Sequence, residues 1–217
     1  MELDFWKQRW EQNQIAFHLP EVNPYIDKFW HSFDAKPHSL IFIPLCGKTL
    51  DIAWFASKEF SVLGVECSEK AINDFFQEQK LKIQKNQFKQ FNVYHNSNIN
   101  LLQGDFFKLD KEILEDVSIV YDRASLIALP EVMRREYVEL LKNTLPDETQ
   151  IFLITLEYNQ SQMSGPPFSV KRDEINRLFQ PEFKVELLHE SDVLDGHQKF
   201  KERGLTSLIE CIYKITQ

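Results

Sequence analysis

The chain has 217 residues, a formal net charge of −8 and 43% hydrophobic residues, 18 of them Phe, a composition that supports a packed core and excludes a disordered polymer. The negative balance repels phosphate backbones and anionic lipid, so neither nucleic acid nor membrane is expected as a partner and a small molecule is the default. Three cysteines, Cys46, Cys67 and Cys211, form no C-x-x-C pair and fit reduced thiols rather than a disulfide framework.

The opening residues show no basic segment followed by an apolar run, and no stretch nears the roughly 18 apolar residues of a membrane span, so the expectation is a cytoplasmic protein. A helix is expected over Glu2 to Gln14, where Phe5 and Arg9, then Trp6 and Trp10, recur at i and i+4. From residue 40 the pattern alternates between strand and helix. Leu40-Ile41-Phe42-Ile43 reads as a strand buried on both faces, Lys48 to Ser57 as a helix, and Val62 to Val65 as a second buried strand. Ser68 is placed to cap a helix bearing Ala71, Ile72, Phe75 and Phe76.

Ile99 to Leu102 reads as a third strand ending at Gly104-Asp105, and Val117 to Tyr121 as a fourth ending at Asp122-Arg123. Pro130 suits the first turn of a helix with Met133, Tyr137, Leu140 and Leu141 inward, closed by Pro146. Ile151 to Leu156 is a fifth strand, Gly165-Pro166-Pro167 a loop, and Arg172 to Phe179 a short helix. Two last strands, near Lys184 to Leu188 and Leu205 to Ile215, close the chain as an antiparallel hairpin without a helix between them. The fold class expected is α/β, a seven-stranded, mostly parallel Rossmann-like sheet with helices on both faces. No repeat or linker divides it, which points to a single domain over 1–217.

In such sheets a ligand sits beyond the carboxyl ends of the strands. Pro44-Leu45-Cys46-Gly47 ends the first strand, and Gly47 lets backbone N–H groups approach a ligand. Glu66 ends the second, 19 residues after Gly47, the distance at which a nucleoside site wants an acid for ribose hydroxyls. A solvated strand-end cap is the alternative for Glu66. The segment is not a phosphate loop, because Phe42 stands where G-x-x-x-x-G-K-[ST] needs its first glycine. Asp105 is placed for an adenine amino group with Phe106 on the ring face, or the pair is a turn aspartate followed by core aromatics. Arg123 is placed to meet a carboxylate, or it forms a surface pair with Asp122. Trp6 and Trp10 offer half of a cage for a cationic ligand, or they are core. The six histidines show no metal-ligand spacing, and no metal is expected.

The segments Phe5-Trp6-x-x-Arg9-Trp10, Phe17-His18, Pro44-Leu45-Cys46-Gly47-Lys48-x-Leu50-Asp51, Gly64-Val65-Glu66-x-Ser68, Gly104-Asp105-Phe106-Phe107, Tyr121-Asp122-Arg123-Ala124 and Gly165-Pro166-Pro167-Phe168-x-Val170 occur in one order. Taken together they resemble the bacterial thiopurine S-methyltransferases over nearly the whole chain. The resemblance implies methyl transfer from S-adenosyl-L-methionine to the sulfur of a thiopurine or other small thiol, or to selenium or tellurium species. It implies donor contacts from Trp10, Leu45, Glu66 and Arg123, with Asp105 and Phe106 near the adenine, and acceptor contacts from Phe17, Arg123 and Lys199. It also implies that residues 1–35 form an N-terminal helical lid on a protein acting as a monomer.

Asp122 and Arg123 are the candidates for a catalytic role, Asp122 by assisting proton removal from a thiol. Asn13 stands where the family has a glycine, Lys58-Glu59-Phe60 lacks the glycine often found before the second strand, and Cys67 and Ser125 replace commoner residues. Two rival readings are an oxidoreductase on the same sheet plan, which needs a richer glycine turn, and a protein that binds S-adenosylmethionine or a metalloid oxyanion without turnover.

Overall fold

The computed structural model describes residues 3–217, which divide into two compact units. The first comprises the chain up to Tyr121 with residues 144–146; the second comprises 122–143 and 147–217. None of its helices is long and apolar enough to cross a membrane among the described residues.

In the first unit, α1 spans Leu3–Glu11. Glu2 of the expected helix lies outside the described residues. The helix stops short of Gln14 because Asn13 turns left-handed (φ 53°), with Asn13 N–H donating to Trp10 O and Gln14 N–H to Arg9 O. That pattern is a Schellman cap, and asparagine is the residue that tolerates it best after glycine. α2 (Pro24–Phe29) follows, opened by Asn23, whose side chain accepts from Tyr25 N–H, and by proline in its first turn. Asn23-Pro24 is itself a helix-start signal in the sequence, a capping residue followed by proline.

β1 (Leu40–Ile43) leads through a turn into α3 (Asp51–Ser57). The expected helix from Lys48 starts three residues late, since Thr49 N–H closes a turn onto Cys46 O. α3 ends on Glu59 at φ 65°, again in Schellman geometry through Phe60 N–H to Phe55 O. A glycine would adopt this backbone without strain; Glu59 holds it at a cost of about 1–2 kcal/mol. β2 (Ser61–Glu66) and α4 (Glu69–Glu78) come next. Ser68 caps α4 by accepting from Ala71 N–H, and Ala71, Ile72, Phe75 and Phe76 are all buried, as their spacing predicts.

β3 (Gln84–Phe88), β4 (Phe91–Asn96) and β5 (Ile99–Gln103) form an antiparallel series, and α5 (Lys111–Leu114) precedes β6 (Val117–Arg123). The strand order in this unit is β3-β4-β5-β2-β1-β6. β1 pairs in parallel with β2 and β6, and β2 with β5. Their carboxyl ends therefore share one edge.

In the second unit, α6 (Glu131–Thr144, its last residue grouped with the first unit) buries Tyr137, Val138 and Leu141, and a buried Arg134 forks onto Glu174 at 2.6 and 3.0 Å. β7 (Gln150–Glu157), α7 (Arg172–Phe179), β8 (Lys184–Asp192), α8 (Gln198–Glu202) and β9 (Ile209–Thr216) complete it. β9 lies antiparallel between β7 and β8.

Two expectations are corrected. The described residues hold nine strands, not seven, because β3 and β4 were not foreseen, and their antiparallel pairings with those of β9 make the strand pairing mixed rather than mostly parallel. β3 is exposed at every position and reads Gln-Lys-Asn-Gln-Phe, so it carries no apolar signal. The closing pair of strands is also separated by a helix, α8, a five-residue helix with no buried residue and hence no apolar stripe to read.

Gly64, in the middle of β2, has no room for a side chain. A Cβ there would fall 2.7 Å from both Cys46 Sγ and Leu101 Cδ2. Gly64→Ala is expected to destabilise the protein by about 1–3 kcal/mol through overpacking, read as a lower denaturant midpoint at unchanged m-value.

Candidate functional site

The site begins at the carboxyl ends of β1, β2 and β5 in the first unit. The chain leaves β1 through Leu45 at φ 45° and Gly47 at φ 53°, two left-handed residues with Cys46 between them. Leu45 holds this conformation at a cost of about 1–3 kcal/mol, the kind of strain that marks functional turns. The turn is fixed to β2 by Cys46 N–H donating to Val65 O at 2.9 Å.

Glu66 is 5% exposed at the end of β2. Its Oε2 accepts from Gly47 N–H at 2.9 Å and its Oε1 from Ser68 N–H at 2.7 Å. The acid and the glycine, paired in the sequence only by spacing, are thus joined directly. Burial pushes the Glu66 carboxyl up from its ordinary value, and the N–H donors at Ser68 and Gly47 and the Cys67 thiol pull it back. Burial raises the Cys46 and Cys67 thiols, with the Glu66 charge adding to it, so neither is a ready nucleophile.

Trp10 closes over this turn. A Cβ on Gly47 would lie 2.7 Å from Trp10 Cζ2, so only glycine leaves room for the indole. Trp10 is 3% exposed and meets Phe17 edge-to-face at 5.5 Å, while the partly exposed Trp6 meets the same ring at 5.7 Å. Trp10, Phe17, Leu45 and Glu66, four separate expectations, are brought together around Gly47. Lys48, next in the turn, reaches Glu78 on α4 at 2.6 Å.

At the end of β5, Gly104 N–H donates to Glu66 O at 3.0 Å, and Asp105 Oδ1 accepts from Phe107 N–H at 3.0 Å. Asp105 is half-buried and starts a single 3₁₀ turn, Phe106–Lys108. For Phe106 the surroundings fit the alternative reading, a core aromatic after a turn aspartate. Its ring is 2% exposed and stacks on Phe42 at 6.5 Å, inside the core. Successive residues of a 3₁₀ turn point about 120° apart, so of the Phe106-Phe107 pair the first enters the core and the second, half-buried, stands outside it.

The second unit holds the other candidates. Asp122 is 2% exposed, its Oδ2 accepting from Tyr137 OH at 2.7 Å and its Oδ1 from Leu126 N–H at 3.1 Å. Burial pushes its carboxyl up to about 6, against the pull of those donors. Oδ1 holds the turn after β6, where Ala124 sits at φ 63°, and Oδ2 is engaged by the Tyr137 hydroxyl on α6. Arg123 is half-buried beside it, and Lys199 is exposed on α8. Sequence reasoning gave no role to Asp51, which is 1% exposed and accepts three hydrogen bonds; its place in the Pro44 to Asp51 segment was the available signal.

The sequence profile of the thiopurine S-methyltransferase (TPMT) family matches residues 1–217. The chain belongs to that family. A thiopurine S-methyltransferase of Pseudomonas fluorescens Pf-5 is 42% identical over 217 residues, covering 100% of this chain and 98% of the relative. One of Pseudomonas aeruginosa LESB58 is 45% identical over 213 residues, covering 98% of each. Among solved structures, the fold is similar to the Burkholderia thailandensis 1,6-didemethyltoxoflavin-N1-methyltransferase with bound S-adenosylhomocysteine, at TM-score 0.66 and 11% identity over 99% of this chain and 87% of that one. It is also similar to a SAM-dependent methyltransferase of Anabaena variabilis, at TM-score 0.64 and 16% identity over 99% and 94%. The family thus stands on a methyltransferase fold.

The Asp122 carboxyl titrates near 6 in the folded protein against 3.8 for the unfolded chain. The folded state therefore binds more protons between these values, and the stability that protonated Asp122 contributes is present below about pH 4 and lost as pH rises through about 6. Asp122→Asn is expected to flatten the midpoint of thermal unfolding against pH across that window; an unchanged slope would refute the assignment.

Proposed function

We propose that this chain is an S-adenosyl-L-methionine-dependent thiol S-methyltransferase acting on thiopurines and other aromatic or small thiols, with selenium or tellurium species as further acceptors. One methyltransferase domain spans residues 1–217 in this reading, and 1–35 act as its lid. The observation that carries it is Glu66, fixed by a backbone N–H on each oxygen at the end of β2 and bonded to the glycine turn after β1. A carboxylate offers about four lone-pair sites, so both oxygens accept ribose hydroxyls while those bonds hold. The Cys67 thiol that lies against it is a weak donor and yields to a hydroxyl.

The residues present fit the donor. Gly47 has no Cβ to clash with the Trp10 indole that closes over the turn, Leu45 is held left-handed in that turn, and Asp105 sits at the neighbouring strand end. When bound, the sulfonium would supply an electrophilic methyl group that passes in line to a thiolate sulfur, the bond to the donor sulfur breaking as the new one forms and S-adenosylhomocysteine leaving. Positive charge is lost as this proceeds, so a dry, aromatic surround favours it. Trp10 and Phe17 supply that surround, and α1 carries Trp10 onto the turn. Phe17, Arg123 and Lys199 are the candidates for the acceptor, the two cations favouring a thiolate over a thiol.

Acid–base machinery is not required of such a reaction, and alignment contributes most of the rate. Asp122 accordingly serves as a fixed acceptor for Tyr137 and Leu126 rather than as a base.

A panel of aromatic thiols with labelled donor tests the reading, and donor binding without transfer would leave a binding protein in its place. Glu66→Ala is expected to weaken binding of S-adenosylhomocysteine by about 1–3 kcal/mol through lost hydrogen bonds to the ribose. Titration calorimetry on the folded variant reads this, and unchanged affinity contradicts the role given to Glu66.

A further inference from the structure

Asp51 is buried at the first position of α3, and its carboxylate collects three donors from three stretches of the first unit. Asn23 N–H reaches Oδ1 at 2.8 Å, while Thr49 Oγ1 and Tyr121 OH reach Oδ2 at 2.9 and 3.0 Å. A buried carboxylate is tolerated only when donors surround it, and these three supply that compensation. Thr49 belongs to the turn that carries Leu45 and Gly47. Tyr121 lies in β6, which runs parallel beside β1.

Asn23 is the connection that gives Asp51 a further meaning. Its own side chain caps α2 through Tyr25 N–H at 2.9 Å, so Asp51 holds the backbone of a residue that already anchors a helix. The chain upstream of Asn23 is the return from α1, the stretch that brings Phe17 onto Trp10. The segment over Gly47 and the turn beneath it are therefore fixed to one carboxylate.

We propose that Asp51 is a positioning residue whose carboxylate latches residues 12–23, and Phe17 with them, to the glycine turn that binds the methyl donor. The latch rests on the methyltransferase reading of that turn. It acts through neutral acceptor geometry as much as through charge. An asparagine at 51 still accepts from Asn23 N–H, and its amide gives a hydrogen to the Tyr121 or Thr49 hydroxyl, both of which can accept. Alanine removes every acceptor at once.

The test uses the full chain as Asp51→Ala, Asp51→Asn and Tyr121→Phe, assayed well below each variant's unfolding temperature. Losing the latch is expected to raise KM for an aromatic thiol about tenfold in Asp51→Ala, with kcat changed much less, and by a smaller factor in Tyr121→Phe; Asp51→Asn is expected to stay close to the parent. Amide exchange, read with S-adenosylhomocysteine as the probe ligand, is expected to quicken over residues 12–23 in Asp51→Ala while α4 and β5 keep their protection. A purely stabilising carboxylate would lower the unfolding temperature and leave KM and the 12–23 exchange untouched, which overturns the proposal. If Asp51→Ala does not fold, an unaltered KM in Tyr121→Phe overturns it equally. A parent chain that methylates no thiol would instead refute the functional reading, and the exchange measurement would still decide the latch.

Discussion

The hydrogen bond from Gly47 N–H to Glu66 is the constraint on which the rest of the first unit depends. It joins the exits of two adjacent parallel strands, and it exists only because β1 and β2 pair in the register that sets Ile43 beside Gly64. Gly64 allows that pairing by leaving Cys46 and Leu101 the space a Cβ would take. One glycine lets the turn form and the other lets the sheet beneath it close. Between them Glu66 is pinned at 5% exposure with little side-chain freedom left to lose on binding a ligand.

The central parallel strands were legible because a strand covered on both faces must be continuously apolar. Leu40-Ile41-Phe42-Ile43 has the residues observed in β1, and Ser68 starts α4 as its capping chemistry dictates. β3 was illegible for the converse reason: with every residue exposed it is ordered by backbone pairing to β4, which leaves no mark on composition. β4 did leave one, Phe91 and Val93 buried on alternate positions around an exposed Asn92, but the pattern is too short to separate from a loop.

The site was legible as a set of strand ends, and less so in the direction of each side chain. Spacing put Glu66 near Gly47 but could not show that they are bonded. Phe106 and Phe107 are chemically equivalent in the sequence, and only the 3₁₀ turn decides which ring enters the core. Asp51 was invisible for a different reason. A carboxylate at the start of a helix reads as a dipole partner facing water, whereas this one is turned inward by donors that lie 28 and 70 residues away in sequence.

These observations share a physical logic. The left-handed positions Leu45 and Gly47 in the first unit, and Ala124 in the second, stand in the turns that follow parallel strands, and each turn is held by a buried carboxylate close by, Glu66 in one and Asp122 in the other. Both carboxyls are raised by burial, so the protein accepts a desolvation cost at each in order to fix backbone. Displacement at a methyl group asks for alignment and exclusion of water more than for proton transfer. A fold that spends its buried acids on orienting loops, and lays tryptophan and phenylalanine over them, is suited to that demand.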